Sequence, residues 1–171
     1  MADFTNETID TTALPRYEHV KLTALQSKYW SVIVITLAAV FAVAFTALII
    51  LLFLVDEVVE QKPLLFGGLG VLFVLILLLS RVSFRKKAYA FRQHDVIYRK
   101  GIIATNTMVI PYNRVQHVAL HEGILSRWFG LAKVEIFTAG GVSSDIEIPG
   151  ILKEEAEDIK QLLMGKIQKQ L

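Results

Sequence analysis

SVIVITLAAVFAVAFTALIILLFLV, residues 31–55, runs for 25 positions without a charged side chain. Coiled as a helix it measures roughly 37 Å at about 1.5 Å per residue, more than the ~30 Å hydrocarbon core of a bilayer, so a tilted span is expected. A second uncharged run, PLLFGGLGVLFVLILLLS at 63–80, gives about 27 Å, near the lower limit for a span. Only Asp56, Glu57, Val58, Val59, Glu60, Gln61 and Lys62 separate the two. The helices are therefore read as antiparallel neighbours, a membrane hairpin over residues 30–80. The competing reading, a pair of core helices, needs a soluble domain large enough to cover both on every face. The ~90 residues that follow are too few.

The chain's 171 residues are 54% hydrophobic with a mean hydropathy of +0.51, above the 45–50% or so of soluble domains. Nearly all the excess lies in 31–80. The first run starts behind a polar stretch and is far longer than the h-region of a signal peptide, so it is expected to persist in the mature protein. Orientation follows from the cations. Lys62 is alone in the linker, whereas Arg16, Lys21 and Lys28 precede the first span and Arg81, Arg85, Lys86, Lys87 and Arg92 follow the second. By the positive-inside rule both termini are cytoplasmic and the acidic linker faces out, an integral, multi-pass arrangement in the cytoplasmic (inner) membrane. Tyr29 and Trp30 stand where an interfacial aromatic anchor belongs.

Neither run contains an ionisable residue, which argues against a transporter, a proton relay or an intramembrane protease. Ala38 with Ala42, and Ala39 with Ala47, are small residues that could receive Gly67, Gly68 and Gly70 in a close helix contact; that glycine is simply common in transmembrane helices is the equal alternative. Residues 1–29 form a cytoplasmic segment, mobile over 1–13, with a short interfacial helix from Leu14 to Tyr29.

Past Arg81 the periodicity changes to short β-rich runs between turn signals. Residues 81–171 carry 14 Lys and Arg against 9 Asp and Glu, a net +5. Strands are expected over Phe84–Phe91 and Val96–Arg99, then Ile102–Ile110 after a Lys100-Gly101 turn, then Asn113–Leu120. Lys133–Thr138 alternates apolar and charged positions, as does Asp145–Ile148, making an antiparallel hairpin through Ala139-Gly140-Gly141-Val142. Before this hairpin, Gly123–Gly130 reads as a helical turn with its aromatics under the sheet. Lys153–Gln170 sets Ala156, Ile159, Leu163 and Ile167 in one stripe of an amphipathic helix, with acids in the first turns and lysines in the last. The order is that of a mainly-β, pleckstrin-homology-like barrel of six or seven antiparallel strands capped by a C-terminal α-helix.

The residues themselves strengthen this. Gly101-Ile102-Ile103, Ile110-Pro111-Tyr112-Asn113-Arg114-Val115-Gln116-His117-Val118, Gly123–Ala132 with Leu125, Arg127, Phe129 and Gly130, and Thr138-Ala139-Gly140-Gly141 together resemble the bacterial pleckstrin-homology membrane proteins of the YdbS-like group. The resemblance covers about residues 17–165 and implies a transmembrane hairpin immediately before the domain. Pro111, Arg114, Gln116, Arg127, Gly130, Thr138 and Gly140 are its motif residues. Arg114, Gln116 and Arg127 are read first as structural groups that satisfy backbone carbonyls and amides where the chain turns.

The chain has no cysteine, which removes disulfides, thiolate metal sites and cysteine nucleophiles but leaves the redox compartment undecided. His117 and His121 are four apart with Glu122 beside them, but on a strand they stand ~13 Å apart, too far to share an ion. Ser143-Ser144-Asp145 has no base placed by a motif. Ala139-Gly140-Gly141 lacks the Lys-Ser/Thr of a phosphate-binding loop. No catalytic residue, metal, cofactor, small-molecule substrate or nucleic-acid partner is expected. Arg81, Arg85, Lys86, Lys87, Arg92, Arg99 and Lys100 form a basic run with only Asp95 against it, and its members Arg81, Arg85, Lys86, Lys87 and Arg92 are the candidate contact with lipid headgroups. The function the sequence supports first is a non-enzymatic, membrane-anchored interaction module, a scaffold for a membrane partner or for self-assembly. An anionic-lipid sensor is the alternative and an enzyme a distant third.

Overall fold

The computed structural model describes residues 8, 17–54, 62–139 and 146–168. The acidic linker at 56–61, the expected turn at 140–145 with Gly140 and the serine pair, and most of residues 1–16 lie outside them.

The two uncharged runs are helices α1 (Lys28–Leu54) and α2 (Lys62–Lys86). Almost no residue in their most apolar stretches is buried. That excludes the core-helix reading, because a core helix hides its apolar face and these expose theirs all round. Phe41 meets Phe73 edge to face at 4.9 Å and Phe45 meets Phe66 at a tilt at 5.2 Å between ring centres, so the helices run antiparallel. Those rings also correct the expected glycine contact. A Cβ built at Gly67, Gly68 or Gly70 meets nothing within 4 Å. The contacts seen between the helices include these two aromatic pairs.

The β portion consists of two antiparallel sheets. The first is β1 (Thr23–Ala24), β2 (Ala88–Phe91), β3 (Asp95–Lys100) and β4 (Asn106–Pro111) in that order, and the second is β5 (Val115–His121), β6 (Leu131–Thr138) and β7 (Ile146–Leu152). Seven strands thus form an open barrel rather than a closed one, and the expected architecture holds. A 3-10 turn, Tyr112–Arg114, carries the chain from one sheet to the other. The short helix α3 (Ile124–Trp128) joins β5 to β6, and α4 (Lys153–Gln168) follows β7.

The inner faces of both sheets share one core. Val96 and Tyr98 of the first sheet join Val134, Ile136, Ile146, Ile148 and Ile151 of the second, each with no more than 1% of its surface exposed. Helix α4 seals one end with Ala156, Ile159 and Leu163, and Ile167 packs against the same cluster, as the stripe requires. The Tyr89 hydroxyl donates to Glu155 at 2.8 Å, tying β2 to α4.

Two bulges shape the second sheet. Gln116 is an extra residue of β5 between the pairs Val115–Thr138 and His117–Phe137. On β7, Pro149 and Gly150 together face Lys133, between the pairs Val134–Ile148 and Ala132–Ile151. Pro149 has no amide to donate to a ladder, and the adjacent Gly150 takes a φ of +67°; both suit a bulge. The bulge carries β7 four residues past the expected end at Ile148, to Leu152, and turns the Gly150 carbonyl out of the ladder to accept from the Gln26 amide at 3.0 Å.

The domain therefore reaches back across the hairpin. The stretch read as an interfacial helix carries instead a 3-10 turn at Tyr17–His19, strand β1 paired with Ala88 and Tyr89, and Leu25 in the core. A strand was likewise expected from Phe84; α2 runs on to Lys86, its last turn carrying Arg85 and Lys86, cations that suit a helix C-terminus. Strand β4 starts at Asn106 rather than Ile102, because residues 101–105 form the turn.

Candidate functional site

In an antiparallel meander the first-to-second and third-to-fourth connections leave from the same edge. The membrane hairpin links β1 to β2, so the β3–β4 turn at 101–105 lies beside its foot. A direct bond fixes this, the Lys86 ammonium donating to the Ile102 carbonyl. On the second sheet, α3 and the end of β7 are the parts that meet α1. The foot itself is braced by aromatic groups. The Arg81 guanidinium lies 4.7 Å above the Trp30 ring, and Phe84 packs on Trp30 and Tyr29. Tyr29 and Trp30, expected as an interfacial anchor, thus share Phe84 as a packing partner, and Arg81 adds a cation–π contact.

Between these elements opens a cavity of about 560 Å³, whose lining includes Tyr29, Lys87, Lys100, His121, Lys133 and Glu147. The volume falls within the ~300–1,000 Å³ of small-ligand clefts. Lys133 is committed, bonded to Glu135 and at 3.1 Å to Glu147; its pKa is raised, first by the Glu135 bond. Lys87 is different. Burial, and then repulsion from Lys100, holds its pKa below the usual lysine value, and among the described residues no partner bonds its ammonium. Tyr98, in the wall, is pushed up to about 12, mainly by burial, so it stays neutral. The arrangement gathers three lysines and a histidine against Glu147 and the nearby Glu135. An anion placed there relieves the Lys87–Lys100 repulsion and replaces lost water around Lys87.

The residues singled out from the sequence divide among three places. Lys87 reaches the cavity, Arg85 and Lys86 are exposed in the last turn of α2, and Arg81 is engaged with Trp30. Arg92 sits apart, at the far end of β2, paired with Asp95 across the β2–β3 turn. Of the motif residues, Arg127 and Gly130 belong to α3 at the membrane end, and Arg127 is exposed. Gly130, at φ +68°, ends that helix, and its carbonyl accepts from Lys153 at 3.0 Å. Pro111, Arg114, Gln116 and Thr138 gather at the opposite end. The backbone ties this end together, the Arg114 carbonyl accepting from the Ala139 amide at 3.1 Å. The side chains of Arg114 and Gln116 are exposed and make no hydrogen bond among the described residues.

Lys100 belongs to the basic run, but His121, Lys133 and Glu147 join the site only through folding. One sequence signal points to them: alternation puts Lys133 and Glu147 on the sheet face away from Val134 and Ile148. The two histidines part company, His117 lying flat on Phe137 at 4.1 Å and His121 opening to the cavity. Among the described residues no three His, Asp or Glu side chains assemble as metal ligands.

Comparison with known proteins agrees with this geometry. Residues 19–167 match the family described as Bacterial PH domain, a span that begins before α1 and so takes in strand β1 as well as the hairpin. The chain belongs to this family. Two curated relatives are named as transmembrane proteins. Over 99 residues the chain is 30% identical to the UPF0699 transmembrane protein YdbS of Bacillus subtilis (strain 168), covering 55% of this chain and 60% of that one. Over 100 residues it is 30% identical to the UPF0699 transmembrane protein YdbT of the same organism, covering 58% of this chain and 20% of that one. The matches thus take in less than two thirds of either relative. No solved structure matches the chain significantly. The protein is a membrane protein with two candidate spans and a bacterial PH domain.

Proposed function

We propose that the chain is a non-enzymatic, membrane-anchored interaction module whose basic cavity takes the phosphate of an anionic lipid headgroup from the leaflet beside it. The observation that carries this reading is the position of Lys87. It is the first residue after α2, a half-buried cation that no described residue bonds, repelled by Lys100 and attracted only at longer range by Glu147, in a cavity beside the foot of the hairpin. Each lysine near an anionic surface contributes roughly 1 kcal/mol. The excess of Lys and Arg flanking both spans supports the cytoplasmic leaflet as that surface. The fold alone implies no particular headgroup.

A second reading, a scaffold for another membrane protein or for a second copy, draws on Arg114 and Gln116. Both are exposed at the far end of β5, which is an edge strand, and the cavity leaves them unused. Release of the full chain from nanodiscs of mixed phosphatidylcholine and phosphatidylglycerol, followed by native mass spectrometry, separates the two. We expect phosphatidylglycerol to be retained in preference. Equal retention of both lipids contradicts headgroup recognition, and a dimer mass or a co-purified protein without lipid preference favours the scaffold.

A further inference from the structure

The domain's large apolar side chains are not exposed evenly. Among the described residues outside α1 and α2, three exceed half exposure: Ile103 at 98%, Trp128 at 78% and Ile124 at 75%. Trp128 was expected under the sheet and is not there. Single exposed apolar residues are ordinary. What needs a cause is that all three stand at one end of the molecule, the end that faces the bilayer.

Their positions are tied to the hairpin from two sides. Ile103 tops the β3–β4 turn, whose Ile102 carbonyl is held by Lys86 at the end of α2. Ile124 and Trp128 are four apart on α3 and so share one face, on the helix that touches α1. Lys100, which leads into the turn, and Ser126 of α3 both line the cavity, so the two apolar tips flank its mouth. Exposed cations stand beside them: Arg85 and Lys100 near the turn, Arg127 next to Trp128. Apolar tips backed by cations are what an interfacial segment presents to acyl chains below and phosphates above.

We propose that the β3–β4 turn, through Ile102 and Ile103, and α3, through Ile124 and Trp128, dip into the headgroup–acyl boundary on either side of the hairpin foot. The occupant of this apolar surface is the bilayer itself, continuous with the surface that α1 and α2 present to lipid. The domain is then held against the membrane at three places, and the cavity mouth is kept at headgroup level. The tips insert whether or not the cavity binds anionic lipid, because burying apolar side chains requires no headgroup charge.

The absence of native cysteine makes the test direct. The full-length variants Ile103→Cys, Ile124→Cys and, as a control at the exposed far end, Asn113→Cys are labelled with an environment-sensitive fluorophore. They are then reconstituted into vesicles of phosphatidylcholine alone. Labels at 103 and 124 are expected to emit at shorter wavelength than at 113, to be quenched severalfold more by lipids bearing a shallow nitroxide, and severalfold less by aqueous iodide. Equal behaviour at all three sites overturns the proposal. Protection at 103 and 124 that disappears on dilution of protein in lipid also overturns it, in favour of a second copy. All three substituted positions are exposed, so folding is not at stake. The use of neutral lipid keeps the outcome separate from headgroup recognition.

Discussion

Gly150→Val is expected to lower the melting temperature of the full-length protein by at least ~5 °C, the shift that goes with about 2 kcal/mol in a chain of this size. Two independent effects contribute. At φ +67° a β-branched residue is strained by about 1–3 kcal/mol. A Cβ there also lies 2.5 Å from Cγ and 2.6 Å from Cβ of Tyr29. The Tyr29 Cβ is fixed to the first turn of α1 and cannot swing away as the end of a long side chain does. Overpacking of this kind costs about 1–3 kcal/mol more. Relief requires the start of α1 to leave the sheet, which breaks the Gln26–Gly150 bond. Thermal unfolding in detergent, followed by tyrosine and tryptophan fluorescence, measures the loss. A wild-type melting curve for Gly150→Val shows that Tyr29 does not rest on the bulge.

Leu25→Ala is expected to cost about 2–5 kcal/mol, the range for a buried leucine reduced to alanine in a closed core. Leu25 precedes the hairpin, yet only 6% of its surface is exposed and it packs in the cluster that includes Tyr89, Ile151 and Ala156. A residue resting loosely on a finished domain costs little when truncated. Full cost therefore means that the PH domain is completed from before α1, and that a fragment starting at Arg81 lacks both a strand and part of its core. Denaturant unfolding of the full chain, with β-sheet circular dichroism as the signal, distinguishes the cases. A change below about 0.5 kcal/mol, typical of surface sites, contradicts that view.

Both predictions concern a junction that the sequence hides. The spans are legible because lipid demands long unbroken apolar runs, and α4 because its stripe repeats over four turns. Strands β6 and β7 are legible through the alternation in Lys133–Thr138 and Ile146–Ile148. Strand β1 has two residues, too few for any period. The extension of α2 through Phe84 to Lys86 is masked because Phe84, Tyr89 and Phe91 suit a strand as well as a helix end. Within the motif, Pro111 marks a turn whose following residues, Tyr112–Arg114, resemble a strand in composition. Five residues of α3 carry too little periodicity to show that Trp128 points outward. The cavity is the least legible feature, because Tyr29, Lys87, Lys100, His121, Lys133 and Glu147 come from separate segments and meet only through pairing of the strands. A run of like charge marks Lys87 and Lys100, but not that the fold leaves them facing each other across an opening.

Titration of detergent-solubilised full chain with short-chain phosphatidylglycerol, comparing wild type with the K87Q/K100Q double variant, tests headgroup recognition most directly. At roughly 1 kcal/mol for each lysine, the double variant is expected to bind about 30-fold more weakly, with an unchanged melting temperature and no comparable affinity of either protein for short-chain phosphatidylcholine. Equal affinity of the two proteins for phosphatidylglycerol, or equal affinity of wild type for both lipids, contradicts the cavity as a headgroup site.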